Sequence, residues 1–218
     1  MKIFLDTIDV DSISSLNHTG MVDGITTNPA LLSAAQRPYK ELLTEICGLV
    51  SGDVSIEVIS TDVDGMVREG LELSRIACNV VVKLPLTFEG ISACNILSKV
   101  HNIKVNVTLC FSVPQAILAA KAGAYFVSPF MGRIDDLGGD GAALIRDIRV
   151  VYSNYNFSTQ ILAASVRGPQ HVVEAAKAGA EIVTVPVSVF RQLFRHPMTD
   201  SGLNDFLKLW KEAGKSIL

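Results

Sequence analysis

A lysine closes the apolar run Asn79-Val80-Val81-Val82-Lys83-Leu84-Pro85, just ahead of the proline that stops it. Three consecutive β-branched residues make the short stretch that a buried parallel strand shows, and an ammonium placed there is costly to desolvate. Burial of that kind lowers a lysine pKa toward neutrality and leaves a fraction as free amine, the form that attacks a carbonyl to give a Schiff base. The plainer alternative is a strand-end lysine whose stem packs against apolar neighbours while its head reaches water.

The ends of the other apolar runs weigh on that choice. They offer Asp6, Thr26-Thr27-Asn28, Glu57, Asn106 with Thr108, Ser128, and Ser165 with Arg167, while Arg133 follows Ser128 in the next loop. Each has a structural explanation: Asp6 and Ser165 as helix caps, Thr26 and Thr108 as ordinary strand residues, Asn28 before Pro29 as a turn. Glu57 is harder to place that way, because Val54, Ile56 and Val58 surround it and an unpaired buried carboxylate is expensive. A Schiff-base lysine, two carboxylates for proton transfer, amides for hydroxyls and arginines for a phosphate suit carbon–carbon bond cleavage in a sugar phosphate.

For these residues to meet, the elements carrying them must end on one face. Strands are predicted near Lys2 to Leu5, Met21 to Thr26, Val54 to Val58, Val80 to Leu84, Lys104 to Thr108, Tyr125 to Ser128, Thr159 to Ala163 and Glu181 to Val185, each with room for a helix after it. Asp9 or Asp11, Thr61 or Asp62, and Ser112 followed by Pro114 are helix-start signals. The segment Ala-Ala-Lys-Ala-Gly-Ala occurs at 119–124 and again at 175–180, and each glycine fits a left-handed C-cap leading into a strand. That offset is two units of about 28 residues, close to the βα repeat of a small barrel. The fold expected is a single (β/α)8 TIM barrel over residues 1–218, with Pro186 to Phe194 helical and an additional C-terminal helix at about 200–214. Leu203, Phe206, Leu207 and Trp210 recur there at helical spacing, so that helix needs cover from its own barrel or from a neighbouring subunit. The run Gly138-Gly139-Asp140-Gly141 is expected to be the loop before a helix rather than a phosphate cradle.

Composition narrows the class of function. A formal charge of −3 gives no basic excess for binding nucleic acid through its phosphates. No uncharged apolar span of transmembrane length is present, and Asp6 interrupts the N-terminal apolar run too early for a signal peptide, so the chain is expected in the cytoplasm, away from membranes. Cys47, Cys78, Cys94 and Cys110 are widely spaced and expected as reduced thiols, and the four histidines form no metal-ligand spacing. No metal site is expected.

The segments Gly24-Ile25-Thr26-Thr27-Asn28-Pro29, Val82-Lys83-Leu84-Pro85, Asn106-Val107-Thr108-Leu109-Cys110-Phe111-Ser112, Ser128-Pro129-Phe130-Met131-Gly132-Arg133 and Ala164-Ser165-Val166-Arg167 resemble the motifs of the transaldolases, most closely the short bacterial-type transaldolase and fructose-6-phosphate aldolase subfamily. The resemblance implies that Lys83 forms the Schiff base, that Asp6 exchanges the C4 hydroxyl proton, and that Glu57 with Thr108 holds the water of imine formation and hydrolysis. It further implies that Asn28, Asn106, Thr26, Ser128 and Phe130 line the pocket for the dihydroxyacetone portion, and that Arg133, Ser165 and Arg167 bind phosphate. Aldolase members carry glutamine at the place of Glu57 and tyrosine at the place of Phe130, so this chain is similar to transaldolase proper. The activity implied is transfer of a dihydroxyacetone unit from sedoheptulose 7-phosphate or fructose 6-phosphate to glyceraldehyde 3-phosphate or erythrose 4-phosphate, without metal or organic cofactor, in a homo-oligomer such as a pentamer or decamer. An aldolase releasing free dihydroxyacetone and a non-catalytic sugar-phosphate-binding barrel are the alternatives. Cys110 replaces a usual aliphatic residue, and sensitivity of the site to oxidation is expected from it.

Overall fold

The computed structural model describes residues 1–217. Eight strands, β1 (Lys2–Asp6), β2 (Gly24–Thr26), β3 (Asp53–Glu57), β4 (Val80–Pro85), β5 (Val105–Cys110), β6 (Phe126–Pro129), β7 (Gln160–Ala163) and β8 (Ile182–Val185), pair in parallel and in sequence order into a closed barrel. Closure rests on β8 pairing back onto β1, with Phe4 opposite Thr184 and Leu5 opposite Val185. It is the (β/α)8 TIM barrel with a C-terminal helix that the alternating pattern predicts.

Strand side chains alternate between the barrel interior and the helical shell, so each strand sorts its residues by a period of two. Outward residues such as Leu5, Ile25, Val54, Ile56, Val82, Leu84, Val107, Ile161, Val183 and Val185 are buried against Ile13, Leu43, Ile46, Met66, Leu97, Ile145, Ile148 and Phe190 of the helices. Inward residues form two layers. Phe4, Val81, Phe126, Leu162 and Ile182 make a separate apolar plug, with the Phe4 and Phe126 rings edge to face at 6.0 Å. Two residues further along the strands the inward positions become Asp6, Thr26, Glu57, Lys83, Asn106, Thr108, Ser128 and Thr184, so the polar layer stands on an apolar floor.

The shell begins with α1 (Val10–Asn17) and then a pair, α2 (Pro29–Ser33) and α3 (Tyr39–Leu49), where one helix was expected. It continues with α4 (Val63–Ser74), α5 (Phe88–Lys99), α6 (Val113–Ala122), a second pair α7 (Met131–Asp136) and α8 (Gly141–Asn154), then α9 (Pro169–Ala178), α10 (Val187–Gln192) and α11 (Pro197–Glu212). Asp62 and Ser112 cap α4 and α6 by accepting from Gly65 and Gln115 N–H groups, whereas Asp9 occupies its cap position without a side-chain bond. Gly123 and Gly179 end α6 and α9 at φ of 95° and 90°, as the duplicated segment predicts. The Gly138 to Asp140 run is the loop expected before a helix, with Asp140 capping α8.

The C-terminal helix starts at Pro197, three residues ahead of the expected Asp200, because His196 caps it and Pro197 takes the first turn. Its own barrel does not cover it. Among the described residues none of α11 is buried, with Phe206 72% and Trp210 45% exposed. No helix among the described residues is long and apolar enough to cross a membrane.

Candidate active site

The expected catalytic and binding residues, Lys83, Asp6, Glu57, Thr108, Thr26, Asn28, Asn106, Ser128, Phe130, Arg133, Ser165 and Arg167, line one cavity of about 460 Å³ at the C-terminal ends of the strands. Lys83, on β4, is buried to the ammonium. Its Nζ donates to Oε2 of Glu57 at 2.9 Å and to the carbonyl oxygen of Thr27 at 3.0 Å. The β3–β4 register sets Glu57 directly opposite Lys83, which is why the carboxylate that the sequence left unexplained has a partner. The two side chains are only 13% and 8% exposed, so this ion pair is screened far less than a surface one.

Asp6, at the end of β1, lines the same cavity, and the Lys83 charge acts on it. Burial pushes its carboxyl above the ordinary aspartate value, against the opposing pull of the Thr26 hydrogen bond, the Lys83 charge and Asn28. Thr26 Oγ1 donates to Asp6 Oδ1 at 3.0 Å, and its oxygen is 2.6 Å from Thr184 Oγ1. Asn28 uses Oδ1 to cap α2 through the Leu31 N–H, and its side-chain amide serves Asp6, which leaves one amide hydrogen for the cavity.

Asn106 on β5 is held at both ends. Ser128 Oγ donates to its Oδ1 at 2.7 Å, and its Nδ2 donates to Ser55 Oγ at 2.9 Å, leaving the second N–H for a ligand hydroxyl. The hydroxyl of Thr108 is buried without a hydrogen-bond partner among the described residues. An orphan hydroxyl on a cavity wall marks a place where a water or substrate oxygen completes the bonding. One extra residue in β5 between Val107 and Cys110 shifts its register against β6, and Leu109 adopts φ +60° there. This bulge lets both Thr108 and Leu109 face the cavity.

The basic end of the cavity comes from α7 and the segment after β7. The Arg133 guanidinium sits 4.9 Å from the centre of the Phe130 ring. Gly132 makes this possible: a Cβ at that position would lie 1.8 Å from the carbonyl oxygen of Ser165. The Arg167 guanidinium is held by Asp136 at 2.7 Å, and the Arg167 backbone N–H donates to Nδ1 of His171 at 3.1 Å. The Arg167 hydrogen bond keeps the Asp136 carboxyl below the usual range.

Thr184 and Ser55 belong to this polar layer, although neither is at a strand end. Their signal was a lone hydroxyl inside an apolar run, Ile182-Val183-Thr184-Val185 and Val54-Ser55-Ile56. Cys110 corrects an expectation. It packs into the sheet–helix layer, does not line the cavity, and burial pushes its thiol up to about 11, so it is not positioned as an oxidation-prone group.

Among the described residues no cluster of three or more His, Cys, Asp or Glu side chains could hold a metal ion. The cavity offers an amine with two carboxylates, a held amide and two guanidinium groups, a set suited to carbonyl addition and proton transfer on an anionic substrate.

Residues 3–217 match the family model described as transaldolase/fructose-6-phosphate aldolase. The chain is 55% identical to proteins named "Probable transaldolase" from Caulobacter vibrioides, over 218 residues, and Hyphomonas neptunium, over 217, each match covering 100% of both chains. Among solved structures it resembles a thiamine phosphate pyrophosphorylase from Pyrococcus furiosus at TM-score 0.59 and 16% identity, covering 85% of each chain. A mandelate oxidase superposes at TM-score 0.59 and 14% identity, covering 85% of this chain and 64% of that one. These last two share the barrel alone.

Proposed function

This chain belongs to the transaldolase/fructose-6-phosphate aldolase family, and we propose that it is a transaldolase proper, moving a dihydroxyacetone unit between sugar phosphates through a Schiff base on Lys83. The observation that carries this is the buried Nζ of Lys83 lying 2.9 Å from Glu57, in one cavity with Asp6.

Glu57 accepts the ammonium proton, and the free amine adds to the ketose carbonyl of sedoheptulose 7-phosphate or fructose 6-phosphate. Loss of water from the carbinolamine gives the protonated imine, with Glu57 and the unpartnered Thr108 hydroxyl holding that water. Asp6 takes the C4 hydroxyl proton, the C3–C4 bond breaks, and its electrons move into the imine. The imine is itself the electron sink, so no metal or organic cofactor is called for. The departing aldose phosphate is replaced by an acceptor, glyceraldehyde 3-phosphate or erythrose 4-phosphate. The enamine adds to its aldehyde, Asp6 returns the proton, and hydrolysis frees the product.

Asn28 and Asn106 bind the hydroxyls of the three-carbon unit, with Thr26 and Ser128 beside them, while Arg133, Ser165 and Arg167 take the phosphate. Phe130 has no hydroxyl to deliver a proton to the enamine, which favours its survival until the acceptor arrives. Free thiols at all four cysteines are consistent with work in the reducing cytoplasm. The uncovered apolar face of α11 supports a homo-oligomer.

Borohydride reduction in the presence of fructose 6-phosphate, followed by peptide mass spectrometry, should place a three-carbon adduct on Lys83. Lys83→Arg should abolish it, and an adduct retained in that variant would move the nucleophile elsewhere. Free dihydroxyacetone formed at full rate without an acceptor aldose phosphate would make the enzyme an aldolase instead.

A further inference from the structure

Thr184 has no part in the steps above, yet it is buried near the end of β8 and lines the same cavity. Its Oγ1 lies 2.6 Å from Thr26 Oγ1, which lies 3.0 Å from Asp6 Oδ1. A hydroxyl has a single hydrogen to give, and an ionised carboxylate only accepts. Thr26 therefore gives its hydrogen to Asp6, and the short contact behind it is left for Thr184 to donate.

We propose that Thr184 is a positioning residue for the general base: it fixes the direction of a buried donor chain, Thr184 to Thr26 to Asp6, and so sets the pH at which Asp6 is ionised. The proposal rests on Asp6 acting as the base. Hydrogen bonds in a chain polarise one another, so a hydroxyl that accepts from behind donates more strongly in front. Without Thr184's hydrogen, Thr26 is free to turn its own toward the cavity, and the carboxylate loses a donor. Burial already disfavours the charged form of Asp6, so small changes in donation move its ionisation.

The other groups facing Asp6 stay in place when Thr184 changes. Asn28 follows β2 and caps α2, and Lys83 on β4 is tied to Glu57 and to the Thr27 carbonyl. Glu57 itself is paired with that lysine, Arg167 is paired with Asp136, and Arg133 stands over Phe130 at the far end.

The test is the pH profile of kcat/KM for transfer from fructose 6-phosphate to an aldose phosphate. In Thr184→Val the acid limb should move up by about half a pH unit, with KM on the plateau within about twofold of the parent. Thr184→Ser should restore the limb, because serine keeps the donor. In a Thr26→Val background, adding Thr184→Val should produce no further shift, since its only route to Asp6 has been removed. An unmoved limb in Thr184→Val overturns the proposal, and so does an equal shift in both backgrounds. Should the valine variant fail to fold, Thr184→Ala carries the same expectation. The lysine adduct and an Asp6→Asn profile are measured alongside: an acid limb that survives Asp6→Asn removes Asp6 as the base, whereas a limb lost there but unmoved by Thr184→Val removes only the role of Thr184.

Discussion

Asp6 is held in a state its surroundings resist, since desolvation lifts its carboxyl above the ordinary value despite Thr26, Lys83 and Asn28. An acid whose pKa is raised by folding favours the folded state below its unfolded pKa, and that contribution is lost as pH rises through the higher folded pKa. At neutral pH ionised Asp6 therefore costs stability. Asp6→Asn keeps an acceptor for Thr26 and removes the buried charge, so it should raise Tm at pH 7, with the gain vanishing at pH 3, below the ordinary carboxylate range. It should lower kcat by about 10²- to 10⁴-fold, the usual share of a positioned general base. Thermal scans at the two pH values check the first expectation; a lower Tm at pH 7 would mean that attraction to Lys83 outweighs burial. At this scale the sequence showed charge out of place, in Lys83 and Glu57, because ionisable residues in apolar runs stand out. It did not show which hydroxyls were shared. Thr184 and Ser55 are ordinary strand residues by type; barrel closure brings the first beside Thr26, and the second meets Asn106 across β4.

Single elements were legible in proportion to their length. The predicted strands all occur, with ends displaced by one or two residues apart from β2, which starts three later at Gly24. What was missed are α2 and α7, of five and six residues, too short for a 3.6-residue period to repeat. The second omission matters, because α7 carries Arg133 and approaches the segment after β7 so closely that Gly132 tolerates no side chain. Gly132→Ala forces α7 away from Ser165 and withdraws Arg133 from the cavity's basic end. Overpacking against backbone should cost about 1–3 kcal/mol of stability. The expected kinetic signature is a rise in KM of about tenfold or more for a phosphorylated ketose, from loss of one charge-assisted contact, with little change for an unphosphorylated one. Equal increases for both substrates would show that α7 serves the cavity's shape rather than its charge.

As a whole the molecule is a closed barrel that leaves the apolar face of α11 open. The sequence pattern required cover for α11 without identifying its source, because periodicity reports which side of a helix is apolar and nothing about what lies opposite. Leu203, Phe206, Leu207, Leu209 and Trp210 are all 45% exposed or more, although burying such side chains typically yields about 1.5–3 kcal/mol each. A second copy of the chain is the occupant expected from the proposed homo-oligomer. Light scattering at micromolar concentration should accordingly report a mass several times that of one chain. Phe206→Asp combined with Trp210→Asp sets two charges on that face. At about 2 kcal/mol or more for each of the two anchors lost from an interface, it should raise the concentration at half dissociation by roughly 700-fold or more. The barrel itself should be unaffected, since α11 contributes no buried residue to it, so far-UV circular dichroism and the lysine adduct should be retained in the dissociated variant. A parent chain that is monomeric at micromolar concentration would leave the face without its proposed partner. A variant that stays assembled would place the contact on another surface.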